Sequence, residues 1–169
     1  MSIPTSVLRD EHRLILRALG LLERAAASAV NDRWWTEATV WLHAFADRNH
    51  HAKEEAALFP AMVKAGVPSE GGPIGVMLLE HAEGRALVQA IATETGDARA
   101  RACRAYVTLL RGHIDKENEI VFPLADAVLD AQAQAALQRE FETVEAEQGA
   151  TAGLVTASAA VDRLAAALE

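Results

Sequence analysis

The stretch His50-His51-Ala52-Lys53-Glu54-Glu55-Ala56-Ala57-Leu58-Phe59-Pro60 matches His113-Ile114-Asp115-Lys116-Glu117-Asn118-Glu119-Ile120-Val121-Phe122-Pro123 without a gap at His, Lys, Glu, Phe and Pro. A shorter echo, Glu11-His12 and Glu80-His81, precedes each copy. The chain therefore reads as a helical hairpin used twice, each copy contributing a His and then a His-x-x-x-Glu.

The surrounding residues favour helix throughout. Alanine and leucine dominate, aromatic residues are only 5 %, and alternating β-branched runs are scarce. Leu8, Ile15, Leu16, Leu19, Leu22 and Ala26 form a helical stripe from Thr5 to about Val30, with Thr5 or Ser6 as expected N-cap. Asn31 and Asp32 break it. A second helix is expected from Arg33 to Leu58, with Trp34, Ala38, Trp41, Phe45, Ala52 and Ala56 inward and Pro60 ending or kinking it. The loop from Ala65 to Gly72 precedes Pro73, which suits the first turn of a third helix carrying Ile74, Met77, Leu78, Val88 and Ile91. Thr95-Gly96-Asp97 opens a fourth, with Ala102, Tyr106, Leu109, Leu110, Ile120 and Leu124 inward and Pro123 as a kink. Four long helices with short connections predict an all-α, antiparallel up-down-up-down four-helix bundle over residues 1–130. Residues 131–169 are expected to be a C-terminal helical extension, packed on the bundle or partly mobile, with Gly149 to Gly153 interrupting it.

Composition removes several function classes. At 169 residues the chain is the size of one domain, or at most two very small ones, and 51 % hydrophobic against 24 % charged residues argues for a well-formed core. A net charge of -8 disfavours nucleic acid and anionic membrane as partners. The single cysteine, Cys103, excludes a disulfide framework and a thiolate metal cage, and is expected to be a buried core residue. No apolar run is long enough to cross a bilayer, and the start MSIPTSVLRDEHR has no secretory pattern. A cytoplasmic location is expected.

The spacing carries the chemistry. Residues four apart on an α-helix lie about 40° apart around the axis and about 6 Å along it, so a His and a Glu at that spacing converge on one point. One such pair is ordinarily a surface contact that helps its helix slightly. Two in matched contexts, with an inward His on each remaining helix, give four His and two Glu. Such a set suits iron, manganese or zinc, and two carboxylates can hold two ions close together. His12, His81, His113 and Glu117 lie on apolar stripes, and a buried Glu is costly unless paired, protonated or metal-bound. On the second helix two pairs compete, His50/Glu54 and His51/Glu55. The repeat register favours His50/Glu54. His51 and Glu55 share a face with Arg33, Glu37 and Arg48 that is expected to be solvated. Against this, His50 sits on the margin of the Trp41/Phe45 stripe.

These residues resemble the hemerythrin-like, or HHE cation-binding, family over residues 5 to 130, through Asp10-Glu11-His12, the two long repeats and Glu80-His81-Ala82-Glu83-Gly84-Arg85. The resemblance implies a four-helix bundle around two iron ions bridged by carboxylates and an oxo or hydroxo group, with manganese or zinc as substitutes. It implies His12, His50, Glu54, His81, His113 and Glu117 as metal ligands, Glu54 and Glu117 bridging. Oxygen-carrying hemerythrins have a further His four residues after the third-helix His, where this chain has Arg85. One position is then open, or filled by Glu55, His51 or Tyr106. Arg85 either turns inward to neutralise a bound anion or forms a surface salt bridge.

The resulting expectation is a di-iron protein that binds or reacts with oxygen, peroxide or nitric oxide, with any electron donor a separate molecule. The alternatives are a metal-dependent sensor or interaction protein without turnover, and a structural zinc or manganese bundle.

Overall fold

In the computed structural model, which describes residues 3–149 and 153–169, six helices account for nearly all of the chain and no strand occurs among the described residues. Helix α1 is Pro4–Ala26. Helix α2 is continuous over 32–64, an α-helix Asp32–Trp41, π-helical segments Leu42–His51 and Glu54–Leu58, and a final α-helical piece Phe59–Lys64. Helix α3 is Pro73–Thr93. Helix α4 runs over 96–128 as Gly96–Lys116, a π-helical Glu117–Val121 and Phe122–Val128. Helices α5, Ala131–Gln148, and α6, Leu154–Ala166, follow. No helix among the described residues is long and apolar enough to cross a membrane.

Local signals set most boundaries. Pro4 and Pro73 occupy first turns, where a missing N–H costs nothing. Thr5 and Ser6, expected as N-caps, instead lie inside α1. Asn31 is a true cap, its side chain accepting from Trp34 N at 2.9 Å. Asp130 caps α5 in the same way through Ala133 N.

The expected end of the second helix at Pro60 is not observed. The N–H of Phe59 donates to the carbonyl of Glu54, five residues back, and the helix passes through the proline. Phe122, before Pro123, donates to Glu117 in the same manner. A proline clashes with the carbonyl four residues back and cannot bond it. A widened turn just before each proline accommodates both defects. That extra residue per turn also displaces the inward stripe. Ile120, expected inside, is exposed, and Val121 is buried in its place. Leu16 and Leu78, also expected inward, lie at the margins of their stripes and are exposed.

Side-chain contacts between α1 and α4 run in opposite numerical order: Thr5 to Asp126, Arg9 to Asn118, His12 to Glu117, and Leu22 to Cys103. Two apolar clusters result. One gathers Ile15, Leu19, Trp34, Trp41, Phe45, Ile91, Cys103, Leu110 and Ile114. The other gathers Leu8, Leu58, Met62, Ile74, Met77, Phe122 and Phe141. Along α1, His12 falls between Leu8 of one cluster and Ile15 of the other, so a polar layer separates the two.

Both helices after residue 130 join these clusters. Leu137 and Phe141 of α5 enter the second, and Ala157, Val161 and Leu164 of α6 enter the first. Two indoles fix α6: Trp34 Nε1 donates to Leu164 O at 3.0 Å and Trp41 Nε1 to Ala157 O at 3.1 Å. The interruption expected at Gly149 to Gly153 is bounded by those two glycines, and residues 150–152 lie outside the described residues.

Candidate metal centre

Four helices bring seven ligand-type side chains into the polar layer. One ligand atom from each of His12, His50, Glu54 and Glu117 lies within 4.8 Å of the others, and the same holds for His51, Glu54, His81 and His113. All seven are buried. The six residues singled out from the sequence are therefore together, and His51 joins them.

The two glutamates link the groups with one oxygen each way. Glu54 Oε1 lies 3.4 Å from His50 Nε2 and Glu54 Oε2 lies 3.3 Å from His81 Nε2. Glu117 Oε2 lies 3.0 Å from His12 Nε2 and Glu117 Oε1 lies 3.3 Å from His113 Nε2. His81 Nε2 and His113 Nε2 are 3.1 Å apart. Each Nε2 thus points inward, and each Nδ1 points outward to an oxygen. His12 Nδ1 meets Asn118 Oδ1 at 3.0 Å, His50 Nδ1 meets Glu11 at 2.8 Å, His81 Nδ1 meets Glu55 at 2.7 Å and His113 Nδ1 meets Glu80 at 2.9 Å. Those acceptors orient the rings and place the Nδ1 proton outside, which leaves Nε2 as the ligand atom.

The outer partners follow the sequence repeat. Glu11 holds His50 and also accepts from Lys53, and Glu80 holds His113 and also accepts from Lys116. Glu55 and Asn118, which align in the repeat, hold His81 and His12 across the halves. The halves also differ. Lys53 is fully buried and carries a second ion pair, to Glu145 of α5 at 2.6 Å, whereas Lys116 is partly exposed. Glu55 is a carboxylate where Asn118 is an amide, and His51 has Ile114 as its counterpart.

The reading of His51 and Glu55 as a solvated pair is corrected for His51. An ideal α-helix sends adjacent residues 100° apart, so His50 and His51 cannot both face one point. The π-helical segment Leu42–His51 has more residues per turn, and Asn49, His50 and His51 are all buried. His51 stacks on His81 with ring centroids 3.9 Å apart. Glu55 turns outward, accepting from His81 and from Arg85. Arg85 takes the surface salt-bridge option, paired with Asp47 and Glu55 at 2.8 Å each. Of the three residues considered for the position vacated on the third helix, His51 is the one within a ligand group. Glu55 is in neither.

The electrostatics suit a cation. Burial holds His50 and His51 neutral, pushing each down to about 3. Asp47 lies 3.6 Å from His51 Nδ1, too far for a formed hydrogen bond. Burial also opposes charge on His81, but the Glu54 carboxylate 3.3 Å away and the hydrogen bond to Glu55 outweigh it and hold it up to about 9. Burial would raise Glu117, yet the neighbouring His113 and the hydrogen bond with His12 hold it well below the usual carboxylate range. Buried atoms with no hydrogen-bond partner include His50 Nε2, a ring nitrogen of His51, both oxygens of Glu54 and Oε1 of Glu117. Such atoms are costly unless something satisfies them. A donor set of imidazoles and carboxylates without thiolate fits two divalent or trivalent first-row ions.

Comparison with known proteins agrees with this geometry. The family described as hemerythrin HHE cation binding domain matches residues 3–125. The chain is 35 % identical over 135 residues to the iron-sulfur cluster repair protein YtfE of Salmonella schwarzengrund (strain CVM19633), covering 69 % of this chain and 60 % of that protein. It is 37 % identical over 90 residues to the protein of the same name from Escherichia coli O81 (strain ED1a), covering 46 % of this chain and 40 % of the relative. The chain thus spans 60 % or less of the length of these relatives. No solved structure matches it significantly.

Proposed function

Because the chain belongs to the hemerythrin HHE cation-binding domain family, we propose that it is a non-haem di-iron protein, acting in the cytoplasm, that binds or reacts with a small oxidant: oxygen, peroxide or nitric oxide. We further place residues 4–128 in an antiparallel up-down-up-down bundle, a reading supported by the opposed order of the α1–α4 contacts. The observation that carries the functional reading is the pair of glutamates, each with one oxygen toward either ligand group and with three of their four oxygens unpartnered inside the protein.

His12, His50, Glu54 and Glu117 would hold one ion, and His51, His81, His113 and Glu54 the other, with Glu117 reaching both. Bound iron would supply redox and Lewis-acid chemistry toward the oxidant. The chain's own residues do the rest. Glu11, Glu55, Glu80 and Asn118 fix the ring orientations. The clusters above and below keep bulk water from the layer. The neutral state of His50 and His51 leaves lone pairs available at neutral pH.

A second reading, a metal-dependent sensor without turnover, is favoured by one contact. Glu145 of α5 pairs with Lys53, and Lys53 pairs with the Glu11 that holds His50. Iron-sulfur cluster repair, the role in the names of the relatives, is a proposal here as well, since the chain spans only part of them.

Metal content per chain, by mass spectrometry on protein purified without chelators, tests the di-iron reading. Two irons per chain is the expected result. Zinc or no metal after iron reconstitution overturns it. A metal-dependent change in protection of α5 without consumption of oxidant would move the conclusion to the sensor.

A further inference from the structure

On α5, Leu137, Phe141 and Glu145 are spaced four apart and so share one face of the helix. Leu137 and Phe141 are buried in the second apolar cluster. Glu145 continues that face by one turn and meets Lys53 Nζ at 2.6 Å. Packing of the two apolar residues thus brings a carboxylate against the ligand-bearing part of α2. The family match ends at residue 125, so α5 lies wholly outside it.

From Lys53 the contacts run inward without a gap. Its ammonium donates to Glu11 Oε1, and Glu11 Oε2 meets His50 Nδ1 at 2.8 Å. Asn49 Nδ2 also donates to Glu11 Oε1, at 3.1 Å. Glu11, Asn49, His50 and Lys53 are all buried. Half-exposed Glu145 is where this series of contacts reaches the surface. An ammonium shut away from water depends on its carboxylates. Without the Glu145 charge, the carboxylate left to Lys53 is Glu11, which it would then draw away from His50. A weaker acceptor behind an imidazole makes that imidazole a weaker metal ligand.

The other ligand group is built differently. Its outer carboxylates, Glu55 and Glu80, pair with Arg85 and Lys116 rather than with α5. The Lys116 side chain is 40 % exposed, so water already screens its charge.

We propose that Glu145 is a positioning residue for one of the two ions: acting through Lys53 and Glu11, it orients His50 and tightens the site of His12, His50, Glu54 and Glu117, without acting on the imidazoles of His51, His81 and His113. The two ions are thereby made unequal by a helix beyond the matched domain. This rests on each ligand group holding an ion, and on neither the identity of the metal nor the oxidant.

Cobalt(II) titration of the full chain tests the proposal. Chelator competition reads the two affinities, and proton NMR reads the shifted Nδ1–H signals of the ligating imidazoles. Glu145→Gln keeps the shape of the side chain and removes its charge. It should weaken one cobalt ion by about tenfold, the low end of the loss for outer partners of a ligand, and spare the other. One Nδ1–H signal should move, the same one that Glu11→Gln moves. Glu142→Gln removes an equal charge from the exposed face of α5 and should leave both affinities as they are. Unchanged affinities in Glu145→Gln, equal losses at both ions, an equal loss in Glu142→Gln, or an affinity loss with no signal moved overturns the proposal. Should Glu11→Gln fail to fold, these outcomes still decide. A wild-type protein that takes up fewer than two cobalt ions instead overturns the two-ion site itself.

Discussion

Lys53 Nζ lies 2.6 Å from Glu145 Oε1, which joins helix α5 to the ammonium beneath the metal centre. Lys53 is fully buried, and its other partner, Glu11, is buried too. In the second half of the repeat, Lys116 meets Glu80 at the protein surface. Removing one member of a buried ion pair leaves an uncompensated charge and typically costs about 3–5 kcal/mol, whereas an exposed pair contributes about 0–1 kcal/mol. Lys53→Met should therefore destabilise the protein by roughly 3 kcal/mol or more in denaturant titrations, and Lys116→Met by about 1 kcal/mol or less. Equal losses for the two variants would show that the halves are energetically alike.

Metal stoichiometry should separate the ligands. Glu54 serves both groups, so Glu54→Gln is expected to abolish binding of both ions. His51 serves one group, so His51→Ala should weaken one ion and spare the other. Loss of such a ligand acts at least as strongly as loss of the partners that orient ligands, about 10–100-fold in affinity. Competition with a chelator of known affinity, read by mass spectrometry, checks both. A His51→Ala protein with two unchanged affinities would remove His51 from the centre.

The stability of the metal-free protein should peak near pH 6.5. His81 is held up to about 9 from an ordinary 6.5, so its contribution is fully present below about pH 6.5 and is lost as pH rises through about 9. His50 and His51 are pushed down to about 3, so the unfolded chain binds more protons than the folded one between pH 3 and 6.5. Stability therefore also falls as pH drops through that window. Thermal melts of chelator-treated protein from pH 4 to 9 check the shape. A melting temperature that rises steadily across the range would contradict it.

The widened turns at Glu54 and Glu117 should depend on the prolines that follow. Pro60→Ala restores the backbone N–H and removes the clash with residue 56. The helix is then expected to tighten, with the metal-free protein no less stable and metal affinity reduced, because the Glu54 carboxylate rotates away from its partners. Chelator competition and denaturant titration on the same variant check the two halves of this expectation. Unchanged affinity would separate the turn from the ligand geometry.

The site was legible where the residues follow a regular helical period. His50, Glu54, His113 and Glu117 are four apart in matched repeats, and His12 and His81 lie on clear apolar stripes, so spacing brought these six forward, with the repeat register favouring His50/Glu54 over the rival His51/Glu55. His51 entered only as a rival, because a period of 3.6 sends it to the face of Arg33, Glu37 and Arg48. Only the π-helical segment Leu42–His51 brings it inside, and that geometry belongs to the packed helix. The Glu-x-x-x-x-Phe-Pro spacing in both repeats was the available signal for the other two wide turns. The pairing of Glu145 with Lys53 lay beyond local reasoning. It depends on how α5 docks, which Phe141 and Leu137 set through tertiary packing.

His12 and Glu117 touch at 3.0 Å across 105 residues of chain, and this has a consequence for biosynthesis. At about 5–20 residues per second on the ribosome, roughly 5 to 20 s separate the appearance of the two side chains. A nascent chain that has delivered α1 and α2 already presents His12, His50, His51 and Glu54, yet neither ligand group is complete until α4 arrives. Iron captured during translation would meet a partial cage with exposed imidazoles. Productive loading thus waits until α4 has joined the nascent helices, whatever metal is available before then.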